Sequence, residues 1–150
     1  MKRITAGMND PYNLQRFVDA QDGIFEQALA ELRRGRKESH WMWFIFPQLA
    51  GLGRSSTARY YALASIDEAG AYLAHPLLGP RLRECAEAIL PWSEHVAAED
   101  LLGPIDALKL KSSLTLFDRV EPDRLFRAGL ERFFAGERDE RTLALLNEQD

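Results

Sequence analysis

Between Ser39 and Tyr61 the chain reads SHWMWFIFPQLAGLGRSSTARYY, and this segment concentrates the side chains that chemistry would need. Gly51 and Gly53 let the backbone take positive φ and approach other atoms closely. Ser55 or Ser56 then caps a short helix running through Thr57, Ala58, Arg59 and Tyr60. A glycine loop entering a helix N-terminus leaves backbone N–H groups without intrahelical partners, an arrangement that receives phosphate or carboxylate. Arg54 and Arg59 add positive charge, the serine hydroxyls and Gln48 add hydrogen-bonding groups, and Trp43 and Tyr60 offer aromatic walls. His40 is either an acid or base close to neutral pH or a ring that satisfies a nearby carbonyl. The plainer reading of the loop is a chain reversal with a serine cap and no ligand.

A second stretch, Asp106 to Phe117, reads DALKLKSSLTLF. At 100° per residue Ala107, Leu110, Leu114 and Phe117 share one side of a helix, while Ile105, Lys109, Ser112, Ser113 and Leu116 share the other. Such a helix is covered on both faces, as a central helix would be. Lys109, Ser112 and Ser113 then form either close-packing sites or the floor of a pocket, with Lys109 as partner of an anion or as a surface lysine lying along the helix. Only four lysines occur against fifteen arginines, and Lys109 and Lys111 flank Leu110.

Other chemistries lack their signatures. His40, His75, His95 and the single cysteine, Cys85, are far apart, and no HExxH or CxxC spacing exists, so neither a metal site nor a cofactor is expected. The glycines match neither a P-loop nor a dinucleotide fingerprint, and there is no G-x-S-x-G elbow. Paired carboxylates such as Glu99-Asp100 and Asp139-Glu140 stand at helix starts, where the helix dipole accounts for them.

The elements that must position these residues read as helices. Asp10 before Pro11 caps a helix with Leu14, Phe17 and Val18; a second carries Phe25, Ala28, Leu29 and Leu32. Ser65 and Glu68 form a capping box ahead of Ile66, Ala69 and Leu73. Pro76 opens a helix with Leu78, Leu82, Cys85, Ala86 and Ile89 on one face, and Pro91 stops it. Pro122 starts another with Phe126, Leu130, Phe133 and Phe134 that closes near Gly136, and Asp139 caps a last one holding Leu143 and Leu146. The run from Trp41 to Phe46 has no partner strand, so a helix or an irregular buried segment is expected there. Trp41, Phe44 and Ile45 fit a core, whereas Trp43 and Phe46 do not fit the same face, so at least one of them points elsewhere.

The chain has 150 residues, 46% hydrophobic and 28% charged, with a net charge of −4. A chain of this size buries a sufficient core without disulfides, and no stretch approaches the ~20 apolar residues of a membrane span. The N-terminus turns polar at once, unlike a secretory signal, which makes the cytoplasm the expected compartment. The acidic balance weighs against nucleic acid. The one basic cluster, Arg33 to Lys37, sits where a helix should end, with Gly35 as its left-handed cap.

The stretch from His40 to Leu63, the motif from Asp106 to Phe117 and the ending with Gly136, Asp139, Thr142 and Leu143 together resemble the bacterial DUF1810 family. The resemblance implies a small, mainly helical, cytoplasmic protein and brings no established activity. The expected architecture is all-α: a single compact domain over 1–150 of about six to eight helices, an irregular aromatic and glycine-rich segment near 39–56, and loose ends at 1–9 and 148–150. The expected function is binding of a small, flat anionic ligand, nucleotide- or phosphate-like, in a pocket made by the 40–60 segment and the 105–117 helix. The alternative is a protein-interaction module that docks a partner, or a second copy of itself, through exposed Trp43 and Phe46.

Overall fold

The computed structural model describes residues 10–122 and 124–149. Ten α-helices are present among them, seven of seven residues or longer, and the only β pairing among the described residues is one parallel bridge between Leu49 and Leu63. The short helix at 56–60 is the serine-capped one expected; the helices beyond the expected six to eight are four- and five-residue turns at 42–45 and 98–102, too short to show a periodic stripe.

The first helix, α1 (Gln15–Gln21), starts later than Pro11, but Asp10 still caps it: its carboxylate accepts the N–H groups of Leu14 and Gln15 at 2.7 and 2.8 Å. Helix α2 (Phe25–Arg33) buries Phe25, Ala28, Leu29 and Leu32, the expected stripe. It ends at Gly35 with φ +77°, as a left-handed cap requires. Of the basic cluster beyond it, Arg33 pairs with Glu84, Arg34 pairs with Glu38, and Lys37 is buried against Asp106.

After α3 (Met42–Ile45) and α4 (Ser56–Tyr60) come α5 (Ile66–Ala74) and α6 (Leu78–Ile89). Ser65 caps α5 by accepting the Glu68 N–H at 3.1 Å. The Glu68 carboxylate does not return to Ser65; it takes the Ala64 N–H and the Arg16 guanidinium, the latter at 2.9 Å. Arg16 also donates to the carbonyls of Tyr12, Asn13, Tyr60 and Ala62, so this buried cation is fully used in tying the start of α1 to the 60–62 segment. A 3₁₀ turn (Leu90–Glu94) follows α6, as Pro91 dictates. Then come α7 (Ala98–Leu102), α8 (Pro104–Val120), α9 (Arg124–Phe134) and α10 (Glu140–Gln149). Glu148 and Gln149 belong to α10, and Gln149 Nε2 donates to Ala64 O at 3.0 Å; the expected loose residues 1–9 and 150 lie outside the described residues.

The long α8 is the axis of the molecule, with α5, α7, α9 and α10 packed around it. Every residue from Ser112 to Asp118 is buried, so this half is covered on both faces. At its N-terminal half the expectation fails: Ala107 and Leu110 are buried on the core side, but Ile105 is 70% and Leu108 66% exposed. A string of rings runs through the core, Phe17 on Tyr72, Tyr72 on Phe117 and Phe117 on Phe126, with centroids 5.0–5.8 Å apart. Each buried phenylalanine in such a string stabilises the fold by roughly 1.5–3 kcal/mol. One polar side chain sits among them: Gln21 donates to Phe44 O and the Tyr72 hydroxyl and accepts from Arg81, joining α1, α3, α5 and α6.

Candidate functional site

The site is built from the chain leaving α2. Past Gly35, whose missing Cβ would lie 2.6 Å from the Trp92 ring, the backbone runs beside α7 and the Lys37 N–H bonds to Leu101 O at 2.9 Å. Glu31, on the last turn of α2, gathers the residues from Glu38 to Trp41 around its carboxylate. Its Oε1 accepts the N–H groups of Glu38 and Ser39 and the Trp41 indole N–H at 2.8–3.0 Å, and its Oε2 accepts the Ser39 hydroxyl at 2.6 Å and Gln27 Nε2 at 3.3 Å. Burial pushes this carboxyl up, but the bonds from the Ser39 hydroxyl, the two backbone N–H groups and the indole outweigh it and hold the pKa at about 2. Trp41 is thereby fixed in the core, with the Lys37 ammonium 4.9 Å from its ring centroid.

In α3 the Met42 and Ile45 side chains then point inward, and Phe46 after it is buried, while Trp43 turns outward and is half-buried. Of the two aromatics that do not fit the first face, Trp43 is the one left at the surface. Opposite it, Gly103 (φ +93°) ends α7 and Pro104 starts α8 at the next residue. This sharp corner brings Asp106, in the first turn of α8, to 2.9 Å from Lys37 Nζ and 3.6 Å from Lys109 Nζ. The Lys109 ammonium also lies 4.7 Å from the Trp43 ring centroid, within cation–π range. A cavity of about 330 Å³ opens here, walled by Lys37, His40, Met42, Trp43, Asp106 and the Leu102–Ile105 turn. Ile105 and Asp106, in the first turn of α8, are part of that wall.

The thirteen residues with a ligand-binding reading therefore fall into three places. His40 and Trp43 line the cavity, and Lys109 adjoins it through its contacts with the Trp43 ring and Asp106. Gln48, Gly51, Gly53, Arg54, Ser55, Ser56, Arg59 and Tyr60 are not among its walls. The glycine loop docks on α10 instead: the Leu145 side chain covers Gly51 (φ +103°), and Arg141 donates to Gly51 O at 3.3 Å. Gly53 lies where a Cβ would meet the Ala58 methyl at 2.5 Å, and Ser55 caps α4 by accepting the Ala58 N–H at 3.0 Å. Gln48 contributes its backbone to the Leu63 bridge, and Ser56, Arg54, Arg59 and Tyr60 are exposed. Ser112 and Ser113 are buried inside the α8 packing. Ser112 donates to Leu108 O and to Asp139, which caps α10 through Thr142, whereas the Ser113 hydroxyl has no hydrogen-bond partner.

Lys37 and Asp106 are the cavity residues that sequence reasoning misses. In the sequence Lys37 is one member of a helix-terminal basic cluster, and Asp106 is only the start of a motif. The Gly103-Pro104 pair is the usable signal, since it places a chain corner and a first-turn acid next to a lysine three residues on.

The fold and this site define a small helical domain in which, among the described residues, no cluster of metal-ligating side chains occurs and no helix is long and apolar enough to cross a membrane. Residues 11–146 match the family described as protein of unknown function (DUF1810), and the chain belongs to that family. It is similar to the conserved hypothetical protein Rv1873 from Mycobacterium tuberculosis, whose 1.38 Å crystal structure shares 48% identity at a TM-score of 0.90, over 92% of this chain and 99% of that one. No curated protein matches it.

Proposed function

We propose that the cavity beside Trp43 binds a small, flat anionic ligand, with the ring system against the indole and the negative charge on Lys37 and Lys109. The observation that carries this reading is a charge imbalance: the largely sheltered ammonium groups of Lys37, a wall of this mainly apolar cavity, and Lys109, beside it, share the single carboxylate of Asp106. The surplus positive charge has no other carboxylate among the cavity walls. A volume of about 330 Å³ suits one ring system with a short charged arm, at the small end of ligand pockets. A nucleotide base or a phosphorylated ring would meet both demands. The test is a thermal-shift and fluorescence titration with nucleotides and phosphorylated metabolites on the wild type, Lys109→Ala and Trp43→Phe. A binder should raise the wild-type Tm and lose most of that shift in Lys109→Ala. An undiminished shift in both variants sinks the reading.

A second reading rests on the two exposed aliphatic side chains beside the same cavity, Ile105 and Leu108. They make this face an interaction surface for a protein partner or a second copy, with Trp43 at its edge; Phe46, expected to take part, is buried. Concentration-dependent association that Leu108→Asp abolishes, with no small-molecule binding, would favour it.

A further inference from the structure

His75 stands in the corner between α5 and α6 and holds both helix ends. Its own N–H donates to Tyr72 O at 3.2 Å, and its carbonyl accepts the Gly79 N–H at 3.1 Å. The ring does the rest: Nδ1 accepts the N–H groups of Leu77 and Leu78 at 3.1 and 3.2 Å. Pro76 and Pro80 have no N–H to offer, and the Arg81 N–H already bonds to Leu77 O. The donors that a helix start leaves without intrahelical partners therefore all end on one residue.

Two N–H groups aimed at Nδ1 leave no room for a proton on it, so the neutral ring carries its hydrogen on Nε2. A second proton would turn Nδ1 into a donor facing two donors and would add positive charge at the positive end of α6. The corner has no slack to absorb this. A Cβ on Gly79 would lie 2.1 Å from the Leu73 carbonyl oxygen, so α6 starts hard against the backbone of α5, and Tyr72 and Leu78 on either side of His75 are fully buried.

The surrounding groups do not secure a charged ring. His75 lines a cavity of about 410 Å³ with Asp10 and Tyr12, from the chain before α1, and with Ala71 and Ala74 of α5. Asp10 favours the charged ring, but its two oxygens already accept the N–H groups of Leu14 and Gln15. Tyr12 brings a phenol and no carboxylate. On α6, Arg81 is turned to Gln21 and the Phe25 ring, while Arg83 and Glu84 pair with Glu121 and Arg33. The acids of α5, Asp67 and Glu68, lie at its far end, in its first turn. Burial pulls the His75 pKa below its ordinary 6.5, against the pull of Asp10.

We propose that His75 is an acid-sensitive latch: a proton on Nδ1 releases the Leu77 and Leu78 N–H groups and loosens the corner that joins α5 to α6. The latch is closed with the ring neutral and open with it charged. Because the folded protein prefers the neutral ring, the stabilisation is complete above the unfolded value near 6.5 and is lost as the pH falls through the lower folded one. It does not depend on the ligand reading of the Trp43 cavity, none of whose walls it shares.

The test is an NMR titration of the wild type from pH 8 to 5, with His75→Asn beside it. An asparagine oxygen can accept the same N–H groups but does not titrate. The ring nitrogen shifts of His75 should show a bare Nδ1 at pH 8 and a midpoint below 6.5. The Leu77 and Leu78 amide signals should move with that midpoint, and the exchange protection of the Leu78 N–H, corrected for its intrinsic rate, should fall by about tenfold or more. In His75→Asn both should stay constant. Urea unfolding gives a second readout: the wild type should lose stability relative to His75→Asn as the pH drops below 6.5, whereas His40→Gln and His95→Gln should keep the wild-type loss. The wild-type spectra decide the matter even if His75→Asn does not fold. A proton on Nδ1 at pH 8, Leu77 and Leu78 amides that ignore the His75 titration, or wild-type and His75→Asn stabilities that run parallel from pH 8 to 5 would each overturn the latch.

Discussion

Replacing Glu31 by glutamine tests whether one carboxylate holds the cavity wall together. In Glu31→Gln the carbonyl oxygen can still take the three N–H donors that meet Oε1, but the new NH₂ group sits where Oε2 accepts the Ser39 hydroxyl and Gln27 Nε2. Donor then faces donor at Gln27, the Ser39 hydroxyl must reverse, and the remaining bonds lose their charge assistance. The size of the effect comes from linkage. With its pKa held at about 2 rather than the ordinary 4.5, the ionised form is favoured in the folded protein by about 3 kcal/mol. Because the folded pKa is the lower one, this stabilisation is complete above the unfolded value near 4.5 and is lost as pH falls toward 2. Urea unfolding of wild type and Glu31→Gln at a series of pH values from 7 to 2.5 measures it. The variant should be less stable by about 3 kcal/mol at pH 7, and the gap should close steadily below pH 4.5. Two stability curves that run parallel through the acid range would show that Glu31 is not held ionised by these contacts, and the 35–43 segment would then owe its order to something else.

Three individual positions give further outcomes. A Cβ on Gly79 would lie 2.1 Å from the Leu73 carbonyl oxygen, which is backbone and cannot swing aside; Gly79→Ala should cost more than about 3 kcal/mol in chemical denaturation, or fail to fold. The unpartnered Ser113 hydroxyl is wholly buried, so Ser113→Ala should melt at or above the wild type, a gain of about 1 kcal/mol, and a marked loss would mean that the hydroxyl has a partner. Burial pushes the Cys85 thiol up to about 12, so an aromatic disulfide reagent at pH 8 should modify it only at the rate of unfolding. Rapid labelling of the native protein would contradict its place in the core.

Helix positions are legible where local chemistry sets them. Gly35, Ser65 and Asp139 do at the chain ends what their types require, and the stripes on α2, α6 and α9 face the core as their spacing dictates. The candidate site is legible in part, since Trp43 and Lys109 stand out in the sequence while the corner that joins them does not. Glu31 is the clearest case: a glutamate on a helix reads as a solvated residue, and nothing at its own position announces that the chain eight residues on folds back over it. Arg16 is another, because three of its partners, Tyr60, Ala62 and Glu68, lie 44 to 52 residues away. The glycine loop misleads for the same reason in reverse. Its backbone freedom is evident, but the Leu145 and Arg141 side chains that receive it come from the far end of the chain. Local rules name a turn or a cap; which helix lies across it is decided by packing.

The clamp on Trp41 has an optical side. One edge of this buried indole bonds to a carboxylate and its face lies under the Lys37 ammonium, 4.9 Å from the centroid. Its excited state therefore sits between fixed charges of opposite sign, and its emission colour depends on where that ammonium stands. Lys37 also walls the cavity. If an occupant of the proposed site drew Lys37 toward itself, it would retune a chromophore it never touches, and the filling of the cavity would be readable in the Trp41 emission with no dye attached.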